Sequence, residues 1–417
     1  MVSVNRSRLR EDIETNAEFG SIETAEGRGR TVLVGTEPDE KARDYFRSRL
    51  TDAGMDVRVD AVGNIVGRWV PDGADPDADP VAAGSHLDSV PEGGIFDGPL
   101  GVYAALESVR AIQESDIDPV RPIEVVSFTE EEGQRFDPLL GSKVAAGDVG
   151  AEEALASKDD DGVTLEAALE AIGYRGSERV DAAEWDAWFE LHVEQRTDLE
   201  ERDVPVGVVT TITGITQCVV HVEGEANHAG TTSMGDRHDP LPAAAEFVLD
   251  LERAANEVVA TDSQTAVGTV GSATVRPNGT NVVPGGVELG VDIRDTEYES
   301  MNELVDRAEK SLARIESERD GIATGLDRSF DVTPVEMSER CRTAFHAAGD
   351  RAGIETVDLH SGAGHDTMEI GRVTDVGLLF ARSRDGISHN PREWTDWEDC
   401  ASATAVLAGA IAETATE

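Results

Sequence analysis

Three apolar runs of strand length most narrow what this chain can fold into: IEVVSFTE from 123, WDAWFELHVEQ from 185 and VGLLFARS from 376. They are continuous rather than alternating, the pattern of strands buried on both faces. Helical repeats precede them. Ala42, Tyr45, Phe46 and Leu50 share one stripe that stops at Gly54, and Val102, Ala105, Leu106, Val109 and Ile112 recur at helical spacing. Shorter β-rich runs, DVRVD from 56, NIVGRWV from 64 and VAAG from 81, precede the first long strand. Strands alternating with helices predict an α/β fold on a mainly parallel sheet.

From about 212 to 328 the rhythm changes. QCVVHVEG from 217 alternates, DPLPAAAEFVLDLERAANEVV from 239 is helical, TAVGTVGSATV and GGVELGVDI read as strands, and Met301, Leu304, Val305, Ala308 and Leu312 mark another helix. This β-α-β-β-α order predicts a smaller α+β domain, residues 212–328, inserted into a larger one made of 1–211 and 329–417. Two domains suit a chain of 417 residues.

The chain carries 84 acidic against 36 basic residues, a formal charge of -48. Nucleic acid and anionic membranes are excluded as partners, because no basic surplus remains to neutralise phosphate. Only Lys41, Lys143, Lys158 and Lys310 are lysine, and with the acid excess this resembles proteins of high-salt cytoplasms. Cys218, Cys341 and Cys400 form no CxxC cluster, so they are expected as buried bystanders. The amino end lacks a signal-like apolar core and no stretch approaches ~18 apolar residues. A soluble, cytoplasmic protein is expected.

Chemistry concentrates just past the strands. GSHLDSVPEGGIFDG puts His86 and Asp88 beyond the strand at 81 and Asp97 in a Gly-rich loop; TEEEGQRF puts Glu131 and Glu132 beyond IEVVSFTE; ELHVEQ ends a strand at His192; GISHNP places His389 after VGLLFARS. Ligands of open α/β sheets gather beyond the carboxyl ends of strands, so these four segments are expected to meet in one crevice. Three imidazoles and two carboxylates form a donor set suited to Zn, Mn or Co. Five donors overprovide one ion and just cover two if a carboxylate bridges. Asp97, short and held in a tight loop, is the expected bridge, with His86 and His192 completing one position and Glu132 and His389 the other. Asp88 would fix the tautomer of His86. Glu131 is the expected general base, taking a proton from the attacking water and passing it to the leaving amine. Metal-assisted hydrolysis follows.

HLDSVPEGGIFDGPLGV, TEEEGQRF, ELHVEQ, NHAGTTSM, GTNVVPGG, DIRD, SGAGHD and GISHNPRE, spread from 86 to 393, resemble the M20-type amidohydrolases of the hydantoinase/carbamoylase group. In peptidases of this fold an Asp or Glu usually stands where this chain has His192, which tilts the resemblance toward the amidase branch. It implies two divalent ions on the five donors, Glu131 as base, and substrate contacts by Gln195, His228, Asn281, Arg294 and the Gly362–Ala363 turn. Arg294 offers a fork for a carboxylate, Gln195 and Asn281 can hydrogen-bond a ureido or carboxylate group, and His228 can donate to a developing oxyanion. It further implies that 212–328 is a lid and dimerisation module pairing two chains, with His228 acting in its own site or its partner's. The implied reaction removes the carbamoyl group of an N-carbamoyl-L-amino acid; allantoate or another ureido acid, then a dipeptide, are the alternatives. A non-catalytic binding protein is disfavoured because base and donors are all present. Ala381-Arg382 replaces the usual Val-Pro, and Thr367-Met368-Glu369 after Asp366 departs from the usual spacing, which leaves side-chain preference open.

Elsewhere, Glu130 reads as solvated surface, His221, His346 and His360 as structural, His365 and Asp366 as orienting groups, and Arg237, His238 and Asp239 as a helix cap. The acid excess sets a test. At molar salt the Debye length shrinks to about 3 Å and quenches self-repulsion, so the midpoint of thermal unfolding should rise steeply between dilute buffer and molar KCl. Full stability at low ionic strength would contradict this reading.

Overall fold

Every residue of the strands Val81–His86, Ile123–Phe128, Ala187–Val193 and Val376–Ala381 is buried, as continuous apolar runs require of strands covered on both faces. In this computed structural model, which describes residues 2–417, they lie side by side in the order Val376–Ala381, Ala187–Val193, Val81–His86, Ile123–Phe128, and every junction among them is parallel. Beyond this centre the pairing changes. Ile65–Trp69 and then Asp56–Val59 continue antiparallel on one side, and Val206–Ile212 joins Val376–Ala381 antiparallel on the other, itself paired with Val335–Glu336 and Thr356–Ser361. The 9-stranded sheet is therefore mixed, correcting the expectation of a mainly parallel one. The cause at one edge is loop length: Asp60–Asn64 alone joins two strands, too little chain for a parallel crossover.

The helix Pro99–Gln113 is buried along its whole length except Gln113 and packs on Val81–His86, Ala187–Val193 and the helix Trp397–Thr414. The helix Glu37–Asp52 covers the antiparallel edge and inserts Phe46 and Leu50 into the same core as Leu106, Val125, Phe189, Leu379 and Leu407. Each such side chain contributes roughly 1.5–3 kcal/mol when fully buried. The parallel centre is thus the most heavily covered part of the sheet.

The chain divides into two compact units. The larger runs to Thr210 and resumes over Glu336–Leu359 and Ala363–Glu417; the smaller holds Thr211–Val335 and His360–Gly362. The smaller unit has its own four-stranded antiparallel sheet, in the order Val267–Arg276, Gly286–Asp295, Gly214–Glu223, Ala323–Val332. Thr216, Cys218, Val220 and Val222 point into a core with Phe247, Leu251, Leu289, Met301 and Leu304, while Gln217 and His221 face outward. The helices Pro240–Thr261 and Tyr298–Glu318 supply the other half of that core.

Two elements of this unit escaped the β-α-β-β-α reading. Ala323–Val332 adds a last strand, and Asn227–His228 pairs with Val282–Val283 as a short ribbon. The last strand shows no apolar alternation, and most of its residues keep some exposure. The boundary expected at 328 falls inside it. Asp239 does cap its helix, accepting the N–H of Leu241. His221 lies 3.4 Å from Asp327, and His346 2.9 Å from Asp358. Among the described residues no helix is long and apolar enough to cross a membrane.

Candidate metal centre

The four parallel strands end at one edge, where His86 and His192, at the ends of their strands, meet Asp97, Glu131, Glu132 and His389 from the loops that follow. His86 closes its strand opposite Phe128, and His192 stands opposite Phe380. Asp97 Oδ1 lies 3.0 Å from His192 Nε2 and 3.5 Å from His86 Nε2. Its other oxygen, Oδ2, lies 3.4 Å from His389 Nε2, which is also 3.4 Å from Glu132 Oε2. Two donor groups capable of holding a metal therefore share Asp97: His86, Asp97 and His192, and Asp97, Glu132 and His389. Glu131 Oε2 sits 3.7 Å from His86 Nε2, and with Glu132 it makes a third such group. His86 Nε2 is buried without a hydrogen bond although carboxylate oxygens surround it, which suits a coordinating nitrogen.

Local backbone geometry makes this convergence possible. Gly98, at φ 80°, follows Asp97 so closely beneath His86 that a Cβ there would come within 2.6 Å of the imidazole. Only glycine accepts both the conformation and the contact. Asp88 acts in two ways. Its carbonyl oxygen lies 3.2 Å from His86 Nδ1, with its carboxylate Oδ1 at 3.7 Å, and suits an Nδ1–H tautomer that leaves Nε2 for a metal. Its carboxylate accepts the backbone N–H groups of Glu131 and Glu132 at 3.4 and 3.2 Å, tying the loop of the expected base to the loop of His86.

Several participants were missed. Arg30 is fully buried and donates through Nη2 to the carbonyls of Leu87 and Asp88. Burial works against its charge, and Asp88, Asp97, Tyr103 and Glu393 partly offset that. Nothing in GRGRTV distinguishes it from a surface arginine. Glu130 is buried, not solvated: at φ 57° it turns inward and accepts the N–H groups of Arg135 and Phe136 at 2.6 and 2.8 Å. Burial pushes its carboxyl up to about 7. Ser388 and Glu393 surround Asp97 and were not singled out, although both lie in the quoted GISHNPRE segment. His365 is buried with its ring 4.6 Å from that of His192.

The recognition candidates divide between the units. Gln195, in the larger one, donates to Ser388 Oγ at 3.3 Å. In the smaller one, exposed His228 and Asn281 stand on adjoining backbone: Ala229 N–H donates to the Asn281 carbonyl. His228 Nδ1 accepts the N–H groups of Gly230 and Thr231, so in the neutral ring the proton sits on Nε2, a donor facing outward. Arg294 is already engaged, by Asp292 through Nε and Nη2 and by the Gly362 carbonyl through Nη1, which leaves one N–H on each terminal nitrogen. Ala363 begins the next stretch of the larger unit.

Charge in the cluster is mutually compensated. Burial opposes a charged His192, yet Asp97 pushes it up to about 9. His86 is raised well above its ordinary range against burial, by Glu131, Asp97 and Asp88, and His389 is raised by its hydrogen bond to Asp97. Burial would raise Asp97, but His192, His389 and His86 hold it well below the usual carboxylate range. Burial lifts Glu131 well above that range and, with Asp97, pushes Glu132 up to about 7.

The model of peptidase family M20/M25/M40 matches residues 82–413. The chain is 39% identical over 405 residues to the N-carbamoyl-L-amino-acid amidohydrolase of Paenarthrobacter aurescens, covering 96% of each. It is 34% identical to the allantoate amidohydrolase of Bacillus subtilis (strain 168), over 94% of this chain and 93% of that one. Its fold is similar to that of a hydantoinase/carbamoylase family amidase from Burkholderia multivorans, with a TM-score of 0.91 and 35% identity over 100% and 99% of the two chains.

Metal and proton compete for the same atoms here. His192 must shed a proton held up to about pH 9, and Glu132 one held to about pH 7, before either can coordinate. Affinity should therefore rise with pH from 6 to 9, with protons released at neutral pH. Calorimetry of Mn²⁺ binding in buffers of different ionisation enthalpy measures both; a flat affinity across this range would contradict the assignment of these donors.

Proposed function

Because the chain belongs to peptidase family M20/M25/M40, we propose that it is a metal-dependent amidohydrolase that cleaves the ureido C–N bond of an N-carbamoyl-L-amino acid, giving the amino acid, CO2 and ammonia. The observation that carries this reading is the Asp97 carboxylate, with one oxygen toward His86 and His192 and the other toward His389, and with Glu131 beside it. Two divalent ions, Zn, Mn or Co, held by His86, Asp97 and His192 and by Asp97, Glu132 and His389, would polarise the ureido carbonyl and acidify the attacking water.

The side chains then have separate tasks. Bound dications favour the ionised form that burial alone opposes, so Glu131 would take the proton of the water on a carboxylate oxygen and return it to the leaving nitrogen. His228, donating from Nε2, stabilises the negative charge that develops on the carbonyl oxygen. Arg294, fixed by Asp292, presents its remaining terminal N–H groups to the substrate carboxylate, and Asn281 and Gln195 bind the ureido group. The Gly362–Ala363 turn lines the same substrate.

The smaller unit is the proposed lid and dimerisation module. Its strand Val267–Arg276 is a sheet edge with Val267 exposed, and Leu241, Leu249 and Val259 are exposed on the helix Pro240–Thr261. Unpaired edges and exposed apolar side chains favour pairing with a second chain. Salt-rich surroundings fit the charge of -48.

The 34% identical allantoate amidohydrolase makes allantoate, or another ureido acid, the second reading. Purified enzyme in high salt with Mn, Co or Zn should release ammonia from N-carbamoyl-L-amino acids. Preference for allantoate would favour the second reading, and activity confined to dipeptides would sink both. Glu131→Gln keeps size and hydrogen bonding but cannot accept the proton, so kcat should fall by roughly 10²–10⁴ with metal content unchanged. Near-normal turnover would remove Glu131 from the mechanism.

A further inference from the structure

We propose that Glu393, which belongs to none of the metal-donor groups, is the positioning residue that sets how Asp97 presents its two oxygens. The inference rests on the two-ion reading above.

Glu393 is buried, and none of its hydrogen-bond partners is a cation. Oε1 accepts the N–H groups of Phe96 and Asp97 at 2.9 and 3.1 Å, and Oε2 lies 3.1 Å from Ser388 Oγ. A buried carboxylate satisfied only by neutral donors is costly to maintain, and all of these donors belong to Asp97 itself or to residues next to it in space or sequence. Gly94 shows how closely the two loops are fitted: a Cβ at that position would lie 2.1 Å from Glu393 Oε1. The rings of Phe96 and Trp394, the neighbours of Asp97 and Glu393, meet edge to face at 5.4 Å, and Phe96 also packs on Trp397 at 5.1 Å. The backbone on both sides of the contact is therefore held.

Ser388 adds directionality. Its oxygen lies 2.8 Å from Asp97 Oδ2 as well as 3.1 Å from Glu393 Oε2, and a hydroxyl has one proton to give. Asp97 Oδ2 is the oxygen that faces His389. With a carboxylate at 393 the Ser388 proton has a second acceptor, so its donation to Asp97 Oδ2 is shared rather than obligatory. With an amide at 393 the oxygen can still take the Phe96 and Asp97 N–H groups, but the NH2 group must face Ser388 and can only donate. The Ser388 proton is then committed to Asp97 Oδ2.

The Glu393→Gln protein should therefore bind its two ions unequally. Metal-free wild type, Glu393→Gln and Glu393→Gln/Ser388→Ala, each confirmed folded by circular dichroism, are titrated with Co²⁺ and followed by visible absorption. Wild type should take up two ions. In Glu393→Gln one of the two affinities should fall by about 10–100-fold, the range for losing a partner of a metal ligand, while the other changes little. Removing the Ser388 hydroxyl as well should restore much of the loss, which a merely structural defect would not show. Two wild-type affinities in Glu393→Gln, an equal loss of both, or a loss that the second substitution leaves untouched overturns the role of Glu393 alone. A wild-type protein that takes up no Co²⁺ overturns the two-ion reading and this inference with it.

Discussion

One carboxylate held among three imidazoles organises this molecule. Asp97 can face His86 and His192 with one oxygen and His389 with the other only if two strand ends and two loops arrive at fixed heights. The parallel centre provides those heights, because parallel neighbours end at the same edge and their registers place His86 beside Phe128 and His192 beside Phe380. The antiparallel strands at either side carry none of the six clustered residues. The mixed character of the sheet therefore leaves the site undisturbed, and the buried helix Pro99–Gln113, starting just after Asp97, fastens the site to the core.

Charge sets the second constraint. A buried cluster of Asp88, Asp97, Glu131 and Glu132 would repel itself apart without compensation, and the compensation comes from several sources. The imidazoles supply part, directly against Asp97. Backbone N–H groups supply part, through the contacts of Asp88 to Glu131 and Glu132. Arg30 supplies a permanent cation behind the loop, gripping the Leu87 and Asp88 carbonyls. A buried arginine with Nε and Nη1 unbonded is expensive by itself, so its placement makes sense only beside these carboxylates.

How much of this was legible in the sequence depended on whether a residue announces its surroundings. The long strands did, because an unbroken apolar run such as IEVVSFTE has few alternatives to double-sided burial. The donors did, because each follows such a run. The strand Ala323–Val332 did not, since a half-exposed edge can be built from ATGLDRSFDV without apolar alternation. Glu130 looked like one more acid in an acid-rich chain; its inward turn depends on a positive φ and on the N–H groups of Arg135 and Phe136, neither of which the letters display. Arg30, Ser388 and Glu393 were hidden for a related reason: their roles come from contacts across the fold, Glu393 reaching Asp97 from the far end of the chain.

Surface and interior face the same excess of acid and meet it by different physics. On the surface, carboxylates repel through water, and dissolved counterions at molar concentration cut that repulsion to a range of about 3 Å. Around Asp97 the carboxylates are buried among fixed side chains and backbone groups, so dissolved salt screens them far less. There each carboxylate needs a fixed partner, whether an imidazole, an N–H group, Arg30 or a bound dication. This explains how a chain with -48 formal charge can accumulate acidic surface freely while the geometry around the site stays exacting to the level of Gly98. Added surface acids cost only what the solvent can screen, whereas a displaced partner inside leaves a charge that nothing else in the fold can reach.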